Sequence, residues 1–178
     1  YDKGWKEAID CIVSLQKNGY KECNLILAGD GEMLEEFKNK FPSNKYPFIS
    51  FLGFVSDVLH QINCCDVILL PTYHQEQLPT FIIEGLFLGK PVIATDIAEI
   101  KSMITYNNEP AGTTIPLVNG KPDVKKMYDA MLELTTDKTK RKNCSEVAFN
   151  AYKKFDYDTF INQYENVFSR LIAENKIS

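Results

Sequence analysis

Four short apolar runs, alternating with helical patterns, constrain this chain more than any other feature. CNLILAG (23–29), FISFLG (48–53), DVILLP (66–71) and PVIAT (91–95) are each five to seven residues long and apolar almost throughout. They read as strands buried on both faces. GWKEAIDCIVSLQKN (4–18) instead places Trp5, Ala8, Ile9, Ile12, Val13 and Leu15 at helical spacing, with Gly19 as a stop. EMLEEFKNKF (32–41) and SDVLHQINC (56–64) read as further helices, the second capped by Ser56, and another helix begins at about Pro79. A weaker strand covers 113–117, and three helical segments follow at 122–135, 137–153 and 157–174. Strands alternating with helices mean βαβ units and a mostly parallel sheet with helices on both faces, a Rossmann-like α/β fold.

The 178 residues suffice for one domain with a full core, so the whole of 1–178 is read as a single unit. A net charge of −4 argues against a nucleic-acid partner, because a phosphate-backbone binder carries a basic face. The five cysteines (Cys11, Cys23, Cys64, Cys65 and Cys144) are odd in number and form no C-x-x-C. Reduced thiols in a cytoplasmic compartment fit them best. No apolar run reaches membrane-spanning length.

Ligands of open parallel sheets bind outside the carboxyl ends of the strands. Gly29-Asp30-Gly31, Gly53-Phe54, the loop from Pro71 to Thr80, and Thr95-Asp96 all fall there. Within HQEQLPTFIIE (74–84), proline suits the first turn of a helix, and the amides of Thr80, Phe81 and Ile82 then point out of the helix end. That end carries partial positive charge and suits a phosphate. Glu84 follows about 7.5 Å along the axis, a spacing fit for ribose hydroxyls, while Glu76 lies on the far side of the phosphate. A carboxylate amid Phe81, Ile82, Ile83, Leu86 and Phe87 is costly unless something binds it. The competing reading pairs Glu84 with a lysine such as Lys90 and leaves Glu76 solvated.

Other motifs are weaker. LILAGDGE (25–32) is half of a dinucleotide fingerprint and breaks at Met33-Leu34. Its turn is either a tight connection or a close backbone approach to a ligand. His60 and His74 are the two histidines and neither has a metal-like partner at helical spacing, so no metal is expected. A G-x-S-x-G elbow is missing. Lys3-Gly4 opens the first helix, where a lysine can reach a diphosphate.

Taken together these segments resemble one family along the whole chain: the retaining, nucleotide-sugar-dependent glycosyltransferases of the GT-B fold, family four, and within them the C-terminal donor-binding domain. Lys3-Gly4-Trp5 is similar to the family's K-G entry. LILAGDGEMLEEF, ISFLGFVSDV and CDVILLPTY are similar to its successive strand segments. EQLPTFIIEGLFLGKPVIATD is similar to its signature block, in which Glu76 and Glu84 form the E-x7-E pair. The resemblance implies roles. Glu84 would bind the donor ribose, and Glu76 would contact the donor sugar near the anomeric carbon. Backbone of Leu78, Pro79, Thr80 and Phe81 would hold sugar hydroxyls and the distal phosphate. Lys3 would neutralise the diphosphate, the Gly29–Gly31 turn would approach the ligand, and Gly53, Phe54 and Val55 would meet the base. The only cofactor-like ligand would be a nucleoside-diphosphate-sugar, with a carbohydrate or lipid-linked acceptor held by an N-terminal domain. Peripheral association with the inner face of the cell membrane stays open, because the family's membrane-facing basic surface belongs to that other half.

Three departures from the family stand out. Gln77 replaces the usual glycine after the first glutamate, so a positive φ there would strain it by about 1 kcal/mol or more. Ala98-Glu99 replaces a Gly-Gly pair, with Glu99 a minor candidate and Ser102 aligned near an expected glutamate. The family's first strand and its diphosphate arginine lie upstream of the K-G entry. A sheet without that central strand has a gap, to be filled by upstream residues, another segment or another chain. The function expected is donor binding in a glycosyltransferase of cell-surface polysaccharide or glycolipid synthesis, with the isolated domain poorly active. The alternatives are a sugar-nucleotide epimerase of the same architecture and a non-catalytic nucleotide-binding domain.

Overall fold

A computed structural model describes residues 3–74 and 77–175. In chain order they form α1 (Trp5–Lys17), β1 (Leu25–Ala28), α2 (Leu34–Lys40), β2 (Ile49–Gly53), α3 (Val58–Asn63), β3 (Ile68–Leu70), α4 (Thr80–Phe87), β4 (Val92–Thr95), the single turn α5 (Ile100–Met103), β5 (Thr105–Tyr106), β6 (Glu109–Pro110), β7 (Gly112–Ile115), β8 (Leu117–Val118), β9 (Lys121–Pro122), α6 (Val124–Thr136), α7 (Lys138–Tyr152) and α8 (Tyr157–Asn175). This is the α/β arrangement expected, with every strand of the main sheet parallel to its partner.

The main sheet is in two pieces. β1 pairs with β2, and β3, β4 and β7 pair in that order, but no described strand joins β1 to β3. The gap expected in place of a first strand therefore lies between them.

Three apolar clusters hold the fold. Around β3 and β4, Ile82 and Leu86 on one face of α4 and Ile100 of α5 are fully buried. Each such side chain contributes roughly 1.5–3 kcal/mol. Gly85 lets α4 sit close on the sheet, since a Cβ there would lie 2.2 Å from Ile68 Cδ1. Around β1 and β2, Ala8, Ile9, Ile12 and Leu15 of α1 pack on Leu25 and Leu27. Trp5 closes this cluster edge-on to Phe37 at 6.0 Å and tilted against Phe51 at 6.2 Å. Cys11, Ile93, Ile115, Met127 and Leu134 form the third cluster under α6. Leu69 of β3 touches both the second and the third, so the core is continuous behind the gap.

Several details correct the sequence reading. α3 is capped by Asp57, not Ser56: its Oδ1 accepts the His60 amide at 3.0 Å because Asp57 directly precedes the first helical residue. Helix α4 starts at Thr80, with Pro79 as its cap in extended conformation. The strand expected at 113–117 ends at Ile115, and two antiparallel hairpins, β5–β6 and β8–β9, flank it. Their turns carry Asn107-Asn108 (φ 48° and 66°) and Asn119-Gly120 (φ 53° and 75°). Both turns have the left-handed pair that a two-residue hairpin requires, and Asn-Gly was the signal that marks it. Among the described residues no helix is long and apolar enough to cross a membrane.

Candidate functional site

A cleft of about 720 Å³ opens between β1 and β3, a size usual for a small-ligand site. Its mouth lies at the carboxyl ends of the strands and is lined by Lys3, the Gly29–Gly31 turn, Val55, Thr80 and Phe81. Its lower part runs down between the strands past Ile26, Leu27 and Leu69.

Local structure places each wall. Gly4 turns the chain into α1 with φ 71°, and a Cβ there would lie 2.1 Å from the Pro71 carbonyl oxygen. Only glycine allows this approach, which sets Lys3 at the mouth. The Gly29 amide donates to the Gly53 carbonyl at 2.8 Å, carrying the β1–β2 pairing into the loop. Thr72 and Thr95 are fully buried, and Thr95 Oγ1 donates to the Thr72 carbonyl at 2.6 Å, tying the β3 loop to the end of β4. That loop leads to α4. Its first amides, Thr80 and Phe81, have no acceptor within the helix. The Ile82 amide does not join them, because it donates to the Pro79 carbonyl at 3.0 Å.

The cleft unites Lys3, Gly29, Gly31, Val55, Thr80 and Phe81. Gly53 and Pro79 do not line it, and neither do the exposed Leu78 (56%) and Phe54 (79%). Glu84 is half-buried and sits outside the lining, one turn after Thr80 on the same helical face. Lys90 does not neutralise it: the Lys90 ammonium donates to the Asn63 carbonyl at 2.9 Å, and no other described residue bonds or pairs with the Glu84 carboxylate. Glu76 lies outside the described residues. The backbone angle anticipated at Gln77 turns on Glu76 and so lies outside the described residues. Ala98 is left-handed, at φ 46°. The Ala98-Glu99 segment therefore keeps the bend without the glycine that would relieve it.

Thiol chemistry does not belong to this cleft. Cys65 lines its lower part, and burial raises its thiol above the usual range despite nearby Lys90. Cys11 is pushed up to about 12, first by burial and then by the Asp10 and Glu7 carboxylates. Both are protonated at neutral pH and poorly nucleophilic. Among the described residues no group of three His, Cys, Asp or Glu could hold a metal ion. The reading from sequence missed Glu7, which is buried in the first turn of α1 with Oε2 lacking a partner among the described residues. It occupies a helical position that the periodicity assigned to solvent.

Comparison with known proteins agrees with this geometry. The family model described as glycosyl transferases group 1 matches residues 1–137. An exopolysaccharide phosphotransferase of Streptomyces coelicolor is 23% identical over 150 residues, which are 84% of this chain and 15% of that protein. Among solved structures, Anabaena HepE in complex with UDP superimposes with a TM-score of 0.75 at 19% identity over 95% of this chain and 46% of its own. Sucrose-phosphate synthase of Thermosynechococcus elongatus gives 0.76 at 17% identity over 97% and 43%. The pneumococcal O-GlcNAc transferase GtfA gives 0.77 at 14% over 96% and 34%. The chain thus spans less than half of each of these proteins, and its fold is that of GT-B glycosyltransferase domains. With a family match over more than half of its length, the chain belongs to the group 1 glycosyltransferases.

Proposed function

We propose that this chain is the donor-binding domain of a retaining glycosyltransferase that moves a sugar from a nucleoside-diphosphate-sugar to an acceptor hydroxyl. The observation that carries this reading is the shared mouth of the cleft, where Lys3, the Gly29–Gly31 turn and the first amides of α4 converge. Three positive or amide-rich groups around one opening suit a diphosphate. In the transfer, the bond from the anomeric carbon to the diphosphate oxygen breaks and a bond to the acceptor oxygen forms. The acceptor loses its proton, and the departing diphosphate gains charge. In this reading Lys3 and the α4 amides would take that charge.

Glu84, half-buried and unpaired among the described residues, is assigned to the donor ribose, one turn behind Thr80. Glu76 is assigned to the sugar on its place in the sequence alone. Anabaena HepE and pneumococcal GtfA were solved with UDP, which makes a uridine donor the first to try. The Streptomyces relative, an exopolysaccharide phosphotransferase, points the product toward polysaccharide or glycolipid. The acceptor would be held by an N-terminal half.

Thermal unfolding in the presence of UDP, GDP and NAD tests the reading. A nucleoside diphosphate should raise the Tm, and Glu84→Ala should weaken its binding about tenfold or more, the loss of one to two hydrogen bonds to a charged acceptor. Stabilisation by NAD alone would overturn it. Mass spectrometry of the product formed by the full-length protein from several sugar-nucleotides, with NMR of the anomeric proton, separates retaining transfer from epimerisation and from binding without turnover.

A further inference from the structure

We propose that Thr95 is a positioning residue for the donor diphosphate. Its buried hydroxyl clamps the turn that leaves β3, and through that turn it sets both Lys3 and the first amides of α4. The inference rests on the donor reading above and deepens it, because it names what holds two walls of the mouth in one arrangement.

The clamp stands where the ladder between β3 and β4 ends. The Ile68 amide donates to the Pro91 carbonyl at 2.9 Å, and Ile68, Leu69 and Leu70 lie opposite Val92, Ile93 and Ala94. Continued with the parity of a parallel pair, this ladder would bring the Ile97 amide to the Thr72 carbonyl. That amide instead turns back to the Thr95 carbonyl at 3.0 Å, so the ladder stops short of Thr72. The Thr95 side chain takes over. Its Oγ1 donates to the Thr72 carbonyl at 2.6 Å, with the Leu70 carbonyl as a second, longer acceptor at 3.3 Å. Thr72 and Thr95 are both fully buried, where a lost hydrogen bond is not replaced by bulk water.

The residues bracketed by this hydroxyl explain its role. Leu70 and Thr72 flank Pro71, and the Pro71 carbonyl is the seat of Gly4, on which a Cβ would lie 2.1 Å from that oxygen. A shift of Pro71 therefore moves Gly4 and, with it, Lys3 at the mouth. On the other side, Thr72 Oγ1 accepts the His74 amide at 3.3 Å, a local turn that directs the loop toward buried Pro79 and the start of α4. Thr95 itself does not line the cleft. It acts on the diphosphate only through the groups it places, and binding groups work when their supports are rigid.

A structural role alone would cost stability and leave a folded chain with its affinity intact. A positioning role costs affinity in a chain that is still folded. Valine has the shape of threonine without the donor, and serine keeps the donor without the methyl, so the two substitutions separate hydroxyl from packing.

Titration calorimetry with UDP and GDP, and amide exchange at His74, test this on the 178-residue chain and its variants. Thr95→Val should weaken nucleotide binding by about tenfold or more and speed exchange at His74 by a similar factor, as one buried hydrogen bond is lost. Thr95→Ser should restore both. Ile93→Val, a core truncation on the same strand, should lower the Tm and leave binding unchanged. In a Lys3→Ala background, Thr95→Val should cost less affinity than it does alone, because one of the two groups it positions is gone. Should Thr95→Val fail to fold, Thr95→Ala, which leaves room for a water, makes the same comparison. Wild-type affinity in the folded variant lacking the hydroxyl would overturn the proposal. So would a loss in Thr95→Ser as large as in Thr95→Val, or an equal loss in Ile93→Val. If the unaltered chain binds neither UDP nor GDP, the donor reading itself falls and this inference falls with it, an outcome distinct from the others because no variant is needed to see it.

Discussion

LILA of β1 and VIAT of β4 are almost equally apolar, yet only one is buried. Every residue of β4 is buried, whereas β1 alternates between buried and exposed. β4 has a bonded neighbour on each edge and helices on both faces; among the described residues β1 has one neighbour and borders the cleft. An apolar run therefore specifies that a strand is to be covered, not that the coverage is in place.

The largest test of that contrast is a pair of truncations. Ile93→Ala, at a site 1% exposed, should cost about 2–5 kcal/mol in chemical denaturation, as core deletions do. Ile26→Ala, at a site 39% exposed, should cost under about 1 kcal/mol. Equal costs would mean that β1 is covered as fully as β4.

A smaller effect belongs to the loop after β4. Ala98→Gly should stabilise by about 1 kcal/mol, because φ 46° crowds a Cβ. The shift in the denaturation midpoint measures it.

The smallest effect is in acid and lies outside both sheet pieces. Asp156 caps α8 by accepting the Thr159 amide and hydroxyl, and these bonds hold its carboxyl below the usual 3.8. A lowered folded pKa means the contribution is present above 3.8 and lost as pH falls through the folded value. The protection of the Thr159 amide relative to its intrinsic exchange rate should therefore fall on acidification below 3.8 while the β4 amides stay protected. Simultaneous loss in both would refute the local assignment.

How much was legible varies along the chain for physical reasons. Strands and helices were legible because the period of burial is written in residue type: α1 and β4 fall where their apolar spacing put them. The cap of α3 was misplaced by one residue, since Ser56 and Asp57 are equally good caps and the choice depends on where Val58 turns helical. The short hairpins were passed over because two-residue strands carry too few side chains to show a period. Of the candidate site, Lys3, Gly29, Gly31, Val55, Thr80 and Phe81 meet at the cleft, while Leu78 and Phe54 point outside it. Spacing along one helix predicted the Thr80–Glu84 relation; the spacing of residues on different loops carries no such information.

Residue order alone determined the alternation of strand and helix and the parallel sheet, with loops at the strand ends, because these follow from periodicities of two and 3.6 residues. Only the tertiary structure decided that the described sheet is split between β1 and β3, that Lys3 shares a cleft with α4, and that Ala98 is left-handed. These depend on which backbone edges meet and at what dihedral angles, and a side-chain pattern encodes neither.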